Sequence, residues 1–139
     1  MHRPISEIIA AFKEFTLEGN YLSALSQLTD ELLTTNNPEL GLDAMFSLLE
    51  RYPDEEIGSP GPLIHAIEKC KGDEIKLCAS IRRRPSTLAI WALYRLIEKD
   101  PQPLFIDVLK EAENNQEASE QIREDAALLL SWVQGIQKE

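Results

Sequence analysis

The sequence lacks the features that mark most enzymes, membrane proteins and secreted proteins. It contains no recognisable catalytic motif, its apolar runs fall short of the roughly 18 residues that span a bilayer, and no alternating β-branched pattern predicts a strand. The first residues, Met1 to Pro4, lead into an amphipathic pattern without the apolar core of a signal peptide. We therefore expect a cytoplasmic protein that is not an enzyme and has no membrane segment.

Cysteine and histidine are equally scarce, with two of each in the chain. Cys70 and Cys78 have no histidine close enough to suggest a zinc site, because the nearest, His65, lies on a predicted apolar helix face and His2 lies at the terminus. We interpret the cysteines as small buried apolar residues kept reduced, with a disulfide between them as the alternative. No metal site and no cofactor are predicted.

Helical spacing of apolar residues extends along the whole chain, which predicts an all-α fold of about eight helices. Small polar residues and prolines mark the expected helix starts: Ser6, Asp73 and Ser86 as N-caps, and Pro38 and Pro62 in the first turn. A hydrophobic fraction of 43% and a charged fraction of 27% are typical of a folded globular protein. A length of 139 residues predicts a single domain covering residues 1–139.

A weak internal repeat predicts how the helices are arranged. Residues 44–53 align with residues 92–101 at an offset of 48, and each copy is an apolar helix ended by a proline. This offset is close to that of HEAT and armadillo helix pairs. We predict antiparallel pairs in a HEAT/armadillo-like stacked array, with an irregular helical bundle as the alternative. The sixth helix, TLAIWALYRLIEKD, is apolar on almost every side and is predicted to be the most buried.

Acidic residues outnumber basic ones and give a net charge of −10, distributed as −8 over residues 1–56, +3 over 57–110 and −5 over 111–139. Nucleic acid is not the expected partner, because phosphate binding requires clustered Lys and Arg. The basic cluster of Arg82, Arg83 and Arg84 ends a predicted helix. We interpret it as pairing with the helix dipole and with the chain's own carboxylates, with contact to a phosphate or acidic partner as the alternative.

The strongest break in the helical pattern lies at residues 53–67. Its GSPGP sequence, residues 58–62, superficially suggests a phosphate-binding loop. Two prolines remove backbone donors, no Lys-Ser/Thr pair follows and no strand precedes it. We interpret the segment as a structural turn between helix pairs.

Carboxylates accumulate just before this turn, with Arg51 as the only base among them. Charges of one sign steer a basic partner toward a surface, whereas tight binding also needs an apolar anchor, for which Tyr52 is the candidate. A merely solvated acidic face is the alternative. The predicted partner-binding residues are Glu39, Asp43, Glu50, Tyr52, Asp54, Glu55 and Glu56. The next candidates are the C-terminal acids Glu117, Glu120, Glu124 and Asp125.

Two segments in the middle of the chain carry a family resemblance. They are GSPGPLIHAIE at residues 58–68 and RRPSTLAIWALYRLI at residues 83–97. Within an acidic all-α chain of this length, they resemble small bacterial immunity proteins of polymorphic-toxin and contact-dependent growth-inhibition systems. The resemblance implies a cytoplasmic monomer that binds a cognate toxin domain, often a basic nuclease, in a 1:1 complex and occludes its active site or substrate groove.

Two other functions remain open from the sequence. The first is a HEAT-like adaptor or scaffold without a toxin partner. The second is an enzyme accessory protein or lyase built on helical repeats, although no nucleophile or metal-ligand set is visible.

Overall fold

The all-α prediction is confirmed. The computed structural model describes residues 3–55, 57 and 61–138, and these residues form eight α-helices and no strand. Pro38 opens a 3-10 turn, Pro38–Gly41, and not the third helix itself. The helices are α1 (Ile5–Glu14), α2 (Tyr21–Leu33), α3 (Leu42–Arg51), α4 (Gly61–Glu68), α5 (Asp73–Arg83), α6 (Thr87–Lys99), α7 (Pro103–Glu113) and α8 (Glu120–Lys138).

Helices that follow one another in the chain pack in pairs, and the pairs stack into two layers. In the odd layer, α1 packs on α3, α3 on α5 and α5 on α7. In the even layer, α2 packs on α4 and α6 packs on α8. The odd layer therefore has the order of contacts that stacked helix pairs produce.

Neighbouring odd-numbered helices run in the same direction, because residues near the end of each helix contact residues near the end of the next. Near the starts of the helices, Lys76 of α5 pairs with Asp43 of α3, and near their ends Arg83 pairs with Glu50. Short connections then return each even helix in the opposite sense. One end of the molecule therefore carries the ends of odd helices and the starts of even ones.

The internal repeat is not a structural repeat. Its first copy contains the end of α3, which lies in the odd layer, whereas its second copy contains the end of α6, which lies in the even layer. Equivalent helices of a stacked array would occupy the same layer. The likeness reflects only that both helices are apolar and end before a proline.

The prediction that the sixth helix is the most buried is wrong. Helix α3 buries six of its ten residues, whereas α6 buries six of its thirteen. Trp91 and Tyr94 on α6 are only half-buried and pack at the edge of the core. These aromatic residues count as apolar in a pattern, but a large ring often covers the core while one of its edges contacts water.

Two of the three predicted N-caps are wrong. Ser6 lies inside the first turn of α1, and Asp73 is the first residue of α5, whose N-cap is Gly72 with a φ of 83°. Glycine adopts this left-handed conformation without the steric cost of a Cβ atom. Ser86 is confirmed as the cap of α6, because its Oγ accepts a hydrogen bond from the backbone N–H of Ala89 at 3.3 Å.

The break at residues 53–67 separates α3 from α4, as predicted. Gly61 and Pro62 begin α4, and residues 58–60 lie outside the described part of the chain. Ile57 is buried with a φ of 36°, so the core contact of its side chain holds a backbone conformation that a β-branched residue rarely adopts.

Both cysteines are free and buried, so the disulfide alternative is wrong. Burial raises the pKa of the thiols of Cys70 and Cys78. The Cys70 thiol donates a hydrogen bond to the carbonyl oxygen of Ala66 at 3.3 Å. The cysteines act as small core residues, as interpreted from the sequence.

Candidate functional site

The predicted acidic residues of α3 are paired within the protein. Glu50 accepts two hydrogen bonds from the Arg83 guanidinium, at 3.1 and 2.9 Å, and a third from the Ser80 hydroxyl at 2.8 Å. Its side chain is only 17% exposed. Asp43 pairs with the ammonium of Lys76 at 2.7 Å. The prediction that only Arg51 neutralises this segment is therefore wrong.

Matching spacing on two helices explains this pairing. Asp43 and Glu50 are seven residues apart and lie on one side of α3, as the sequence indicated. Lys76 and Arg83 are also seven residues apart, on α5. Because α3 and α5 are parallel neighbours, the two sets of charges meet in register.

Arginines also join the remaining odd helices. Arg51 donates hydrogen bonds to the carbonyl oxygens of Phe12 at 2.9 Å and Phe15 at 3.1 Å, and so satisfies carbonyls at the end of α1. Arg82 forms two hydrogen bonds of 3.0 Å with Glu111 on α7. The interpretation that the arginine cluster pairs with the chain's own carboxylates is confirmed for Arg82 and Arg83.

Glu39 and Tyr52 lie at opposite ends of α3. Glu39 is half-buried in the 3-10 turn before the helix, whereas Tyr52 follows the last residue of the helix. The Tyr52 ring is partly buried against the core. Because α3 alone spans about 15 Å, Glu39 and Tyr52 are separated by at least the length of that helix, and the core covers part of the Tyr52 ring.

Asp54 and Glu55 remain exposed in the loop after α3. Asp54 accepts a hydrogen bond from the hydroxyl of Ser119, and Ser119 Oγ also accepts one from the backbone N–H of Ile122 at 3.2 Å, which makes Ser119 a cap at the start of α8. Glu56, the last predicted residue, lies outside the described part of the chain.

The hydrogen bond between Asp54 and Ser119 brings together the acidic loop after α3 and the acidic residues at the start of α8, which were predicted separately. We define the acidic corner as Asp54, Glu55, Glu117 and Glu120, all of which are exposed. Within the described part of the chain, none of the four forms an ion pair with a base. The corner also lies at the start of α8, whose helix dipole favours carboxylates.

The other two C-terminal acids follow within α8. Glu124 is exposed about one turn beyond Glu120, and Asp125 is half-buried and accepts a hydrogen bond from the Gln121 amide at 2.9 Å. They extend the acidic surface along the start of the helix.

An aromatic surface lies on α6 and α8, and the sequence analysis missed it. The Trp132 ring makes edge contacts with Trp91, at a centroid distance of 5.9 Å, and with Tyr94, at 5.6 Å. Trp132 is 43% exposed and Leu128, one turn earlier, is 44% exposed. We define these four residues as the aromatic face. The signal available in the sequence was that it contains only two tryptophans, and both lie here.

Burial raises the pKa of the Tyr94 hydroxyl, and the nearby Glu98 carboxylate adds to the effect.

Large aromatic side chains that are partly exposed and already ordered are the residues most often found at the centres of protein interfaces. The aromatic face is therefore a candidate apolar anchor for a protein partner, in addition to the predicted Tyr52.

A groove of about 350 Å³ separates α4 from α6, with α5 beneath it. Arg95 of α6 reaches across to Glu68 of α4 at 3.3 Å. At the first turn of α5, burial raises the pKa of the Asp73 carboxyl, and the Glu74 carboxylate raises it further. The groove lies at the opposite end of α6 from the acidic corner, because it is lined by the last residue of that helix, Lys99.

His65 is exposed on α4 between buried neighbours. Among the described residues, no three His, Cys, Asp or Glu side chains are grouped so that they could hold a metal ion. None of the helices in this part of the chain has the length and apolar character needed to cross a membrane.

Comparison of the chain with protein-family models, with curated proteins and with solved structures finds no match. The resemblance to immunity proteins therefore stays a prediction made from the residues of the two middle segments.

Proposed function

We propose that this protein is a non-enzymatic inhibitor that binds a basic protein domain, in the manner of an immunity protein that neutralises a cognate toxin. The observation that carries the proposal is the acidic corner. The Asp54–Ser119 contact places the loop after α3 beside the start of α8. It gathers at one end of the molecule exposed carboxylates that form no ion pair with a base of the described residues.

Charge and shape together support a protein partner. A nuclease must bind phosphate, so its substrate groove is basic, and an acidic surface complements it. The start of α6 lies at the acidic corner, because the Thr87 N–H donates to the Pro53 carbonyl oxygen at 2.7 Å. Trp91 follows four residues later, about 6 Å along the helix. Acids that accelerate association thus lie close to aromatic residues that can anchor the complex.

Co-expression tests the inhibitor function directly. The protein is produced in a sensitive cell together with the toxin domain encoded beside it, and we expect cell growth to be restored. A catalytically inactive toxin variant serves as the growth control. Toxicity that persists while the protein accumulates in folded form contradicts the proposal.

Charge reversal tests the acidic corner. Replacing Asp54, Glu55 and Glu56 by Lys should slow association with the basic domain by about tenfold and reduce its dependence on salt, because opposite charges steer the encounter. Helicity measured by circular dichroism should not change, since Asp54 and Glu55 are exposed.

A second variant and a control locate the effect. Replacing Glu117 and Glu120 by Lys should slow association to a similar degree, because the two acidic segments meet. Replacing Asp30, Glu98 and Asp100 by Lys changes the net charge by as much as the first variant, but at the ends of α2 and α6, which lie at the other end of the molecule. This control should have a smaller effect. Equal slowing by all three variants would indicate a general charge effect and no local site.

An adaptor or scaffold is the second candidate function. The two-layer stack of parallel odd helices favours it, because such arrays present extended surfaces to partners. Native mass spectrometry distinguishes the two functions: an inhibitor forms a 1:1 complex with its target, whereas an adaptor holds two different proteins at once.

A further inference from the structure

The groove between α4 and α6 is a gap in the even layer. Helix α2 packs directly on α4, and α6 packs directly on α8, but the groove separates the two pairs. Its floor is apolar and consists of Ile64, Ile67, Leu77, Ala92 and Leu96. Of these, Leu96 is half-buried and the others are buried.

The groove has room for apolar side chains of a partner. A volume of about 350 Å³ lies at the lower end of the range for ligand pockets. At ~30 Å³ for each water-sized group, it holds about a dozen such groups, which corresponds to one or two large side chains.

The rim of the groove carries one more negative than positive charge. Three carboxylates and two bases line it. Arg95 is held by Glu68, with both side chains 41% exposed. Of the charged residues that line the groove, this pair leaves the two carboxylates of Asp73 and Glu74 and one base, Lys99. Burial raises the pKa of the Asp73 carboxyl, and the neighbouring Glu74 carboxylate raises it further.

We propose that this groove is a second docking site that takes a cationic amphipathic helix of a protein partner. One large apolar side chain of that helix enters the groove between Ile64 and Leu96, and a lysine or arginine one turn away pairs with Asp73 and Glu74. This proposal goes beyond the inhibitor function and does not rest on it, since the groove and the acidic corner lie at opposite ends of α6.

Two designed peptides serve as probes. The first is a helix of about four turns with leucine on one face and lysine on the other. The second has the same leucines and replaces every lysine by glutamate. Amide chemical shifts of the isotope-labelled full-length protein are followed as each peptide is added. We expect saturable changes in α4, the first turns of α5 and the second half of α6 with the cationic peptide only.

Variants of exposed and half-buried residues of the groove test the assignment. Glu74→Lys should weaken binding of the cationic peptide by about tenfold, because it reverses a rim charge. Leu96→Ala should weaken it to a lesser degree. Asp107→Lys, the matched charge reversal at an exposed position of α7 outside both proposed sites, should leave the affinity unchanged. Circular dichroism should show all three variants folded.

Four outcomes overturn the proposal. The first two are the absence of saturable binding by the cationic peptide and equal binding of the glutamate peptide. The third is equal weakening by Glu74→Lys and Asp107→Lys. The fourth is self-association of the free protein that is lost on Leu96→Ala, which would assign the groove to a second copy. Shifts centred on α8 and the loop after α3 would support the acidic corner while removing the groove, so the two proposals fail separately.

Discussion

Glu50 should stabilise the fold and not bind a partner directly, although the sequence placed it in a partner-binding surface. Its carboxylate lies between α3 and α5 and accepts three hydrogen bonds, from Arg83 and from Ser80. Ser80 is completely buried. Glu50→Ala therefore removes an ion pair and also leaves the Ser80 hydroxyl without its acceptor.

The expected loss is about 2 kcal/mol in the free energy of unfolding. Leaving a buried hydroxyl unsatisfied costs roughly 1–3 kcal/mol. The ion pair adds little to this, because the Arg83 side chain is 55% exposed and water can solvate it after the substitution. For a chain of this length, a loss of about 2 kcal/mol lowers the Tm by roughly 6–10 °C.

Asp43→Ala is the matched control on the same helix. Asp43 also pairs with a base of α5, but its side chain is 78% exposed and its partner Lys76 is 42% exposed. Exposed ion pairs contribute roughly 0–1 kcal/mol. Urea unfolding followed by circular dichroism should show a clear decrease in the midpoint for Glu50→Ala and a small change for Asp43→Ala, with similar m-values.

A double-mutant cycle with Ser80→Ala tests the mechanism. Removing both partners of a buried hydrogen bond costs less than leaving one unsatisfied, so the double variant should be about 1 kcal/mol more stable than the sum of the single losses predicts. Additive losses, or equal losses for Glu50→Ala and Asp43→Ala, would refute the reasoning. So would a Glu50→Ala protein of unchanged stability that associates more slowly with a basic partner.

Two further predictions concern backbone positions and use the same urea assay. Gly41→Ala should destabilise the protein by about 1–3 kcal/mol, because the added Cβ would lie 2.7 and 2.9 Å from the methyl carbons of the fully buried Leu32. Gly135→Ala should instead stabilise it by roughly 0.5–1 kcal/mol, because Gly135 lies inside α8 and a Cβ there meets nothing within 4 Å. Stability changes of the same sign for both variants would contradict the steric argument. Ser86→Ala should cost about 1 kcal/mol, because it leaves the Ala89 N–H without its cap, and an unchanged midpoint would show that the cap contributes nothing.

Local patterns predicted the helices well and their caps less well. Apolar spacing depends only on which residues share a helix face, and it indicated eight helices and no strand. A cap depends on backbone geometry at one position. The N-cap of α5 is Gly72 and not Asp73, because the backbone there has a φ of 83°, which glycine adopts without steric cost. A pattern of polar residues does not reveal the φ of a single position.

The predicted site was divided by the packing of α3. Counting charges along the chain placed Glu50 and Asp54 in one acidic surface. Of these two residues, Asp54 lies in the acidic corner, whereas Glu50 pairs with Arg83 of α5. The matching seven-residue spacings on the two helices are visible in the sequence, but they mean contact only once the helices are known to be parallel neighbours.

By itself, the sequence determined the all-α class, the turn after α3, the buried reduced cysteines and the excess of negative charge, because these depend on residue types and on spacing within single helices. The tertiary structure decided which carboxylates are paired and which are exposed. It also joined Asp54 to Ser119 across 65 positions, exposed the Trp132 ring and left the groove between α4 and α6. Each of these depends on which helices become neighbours, a property that arises when distant segments bury their apolar faces against one another.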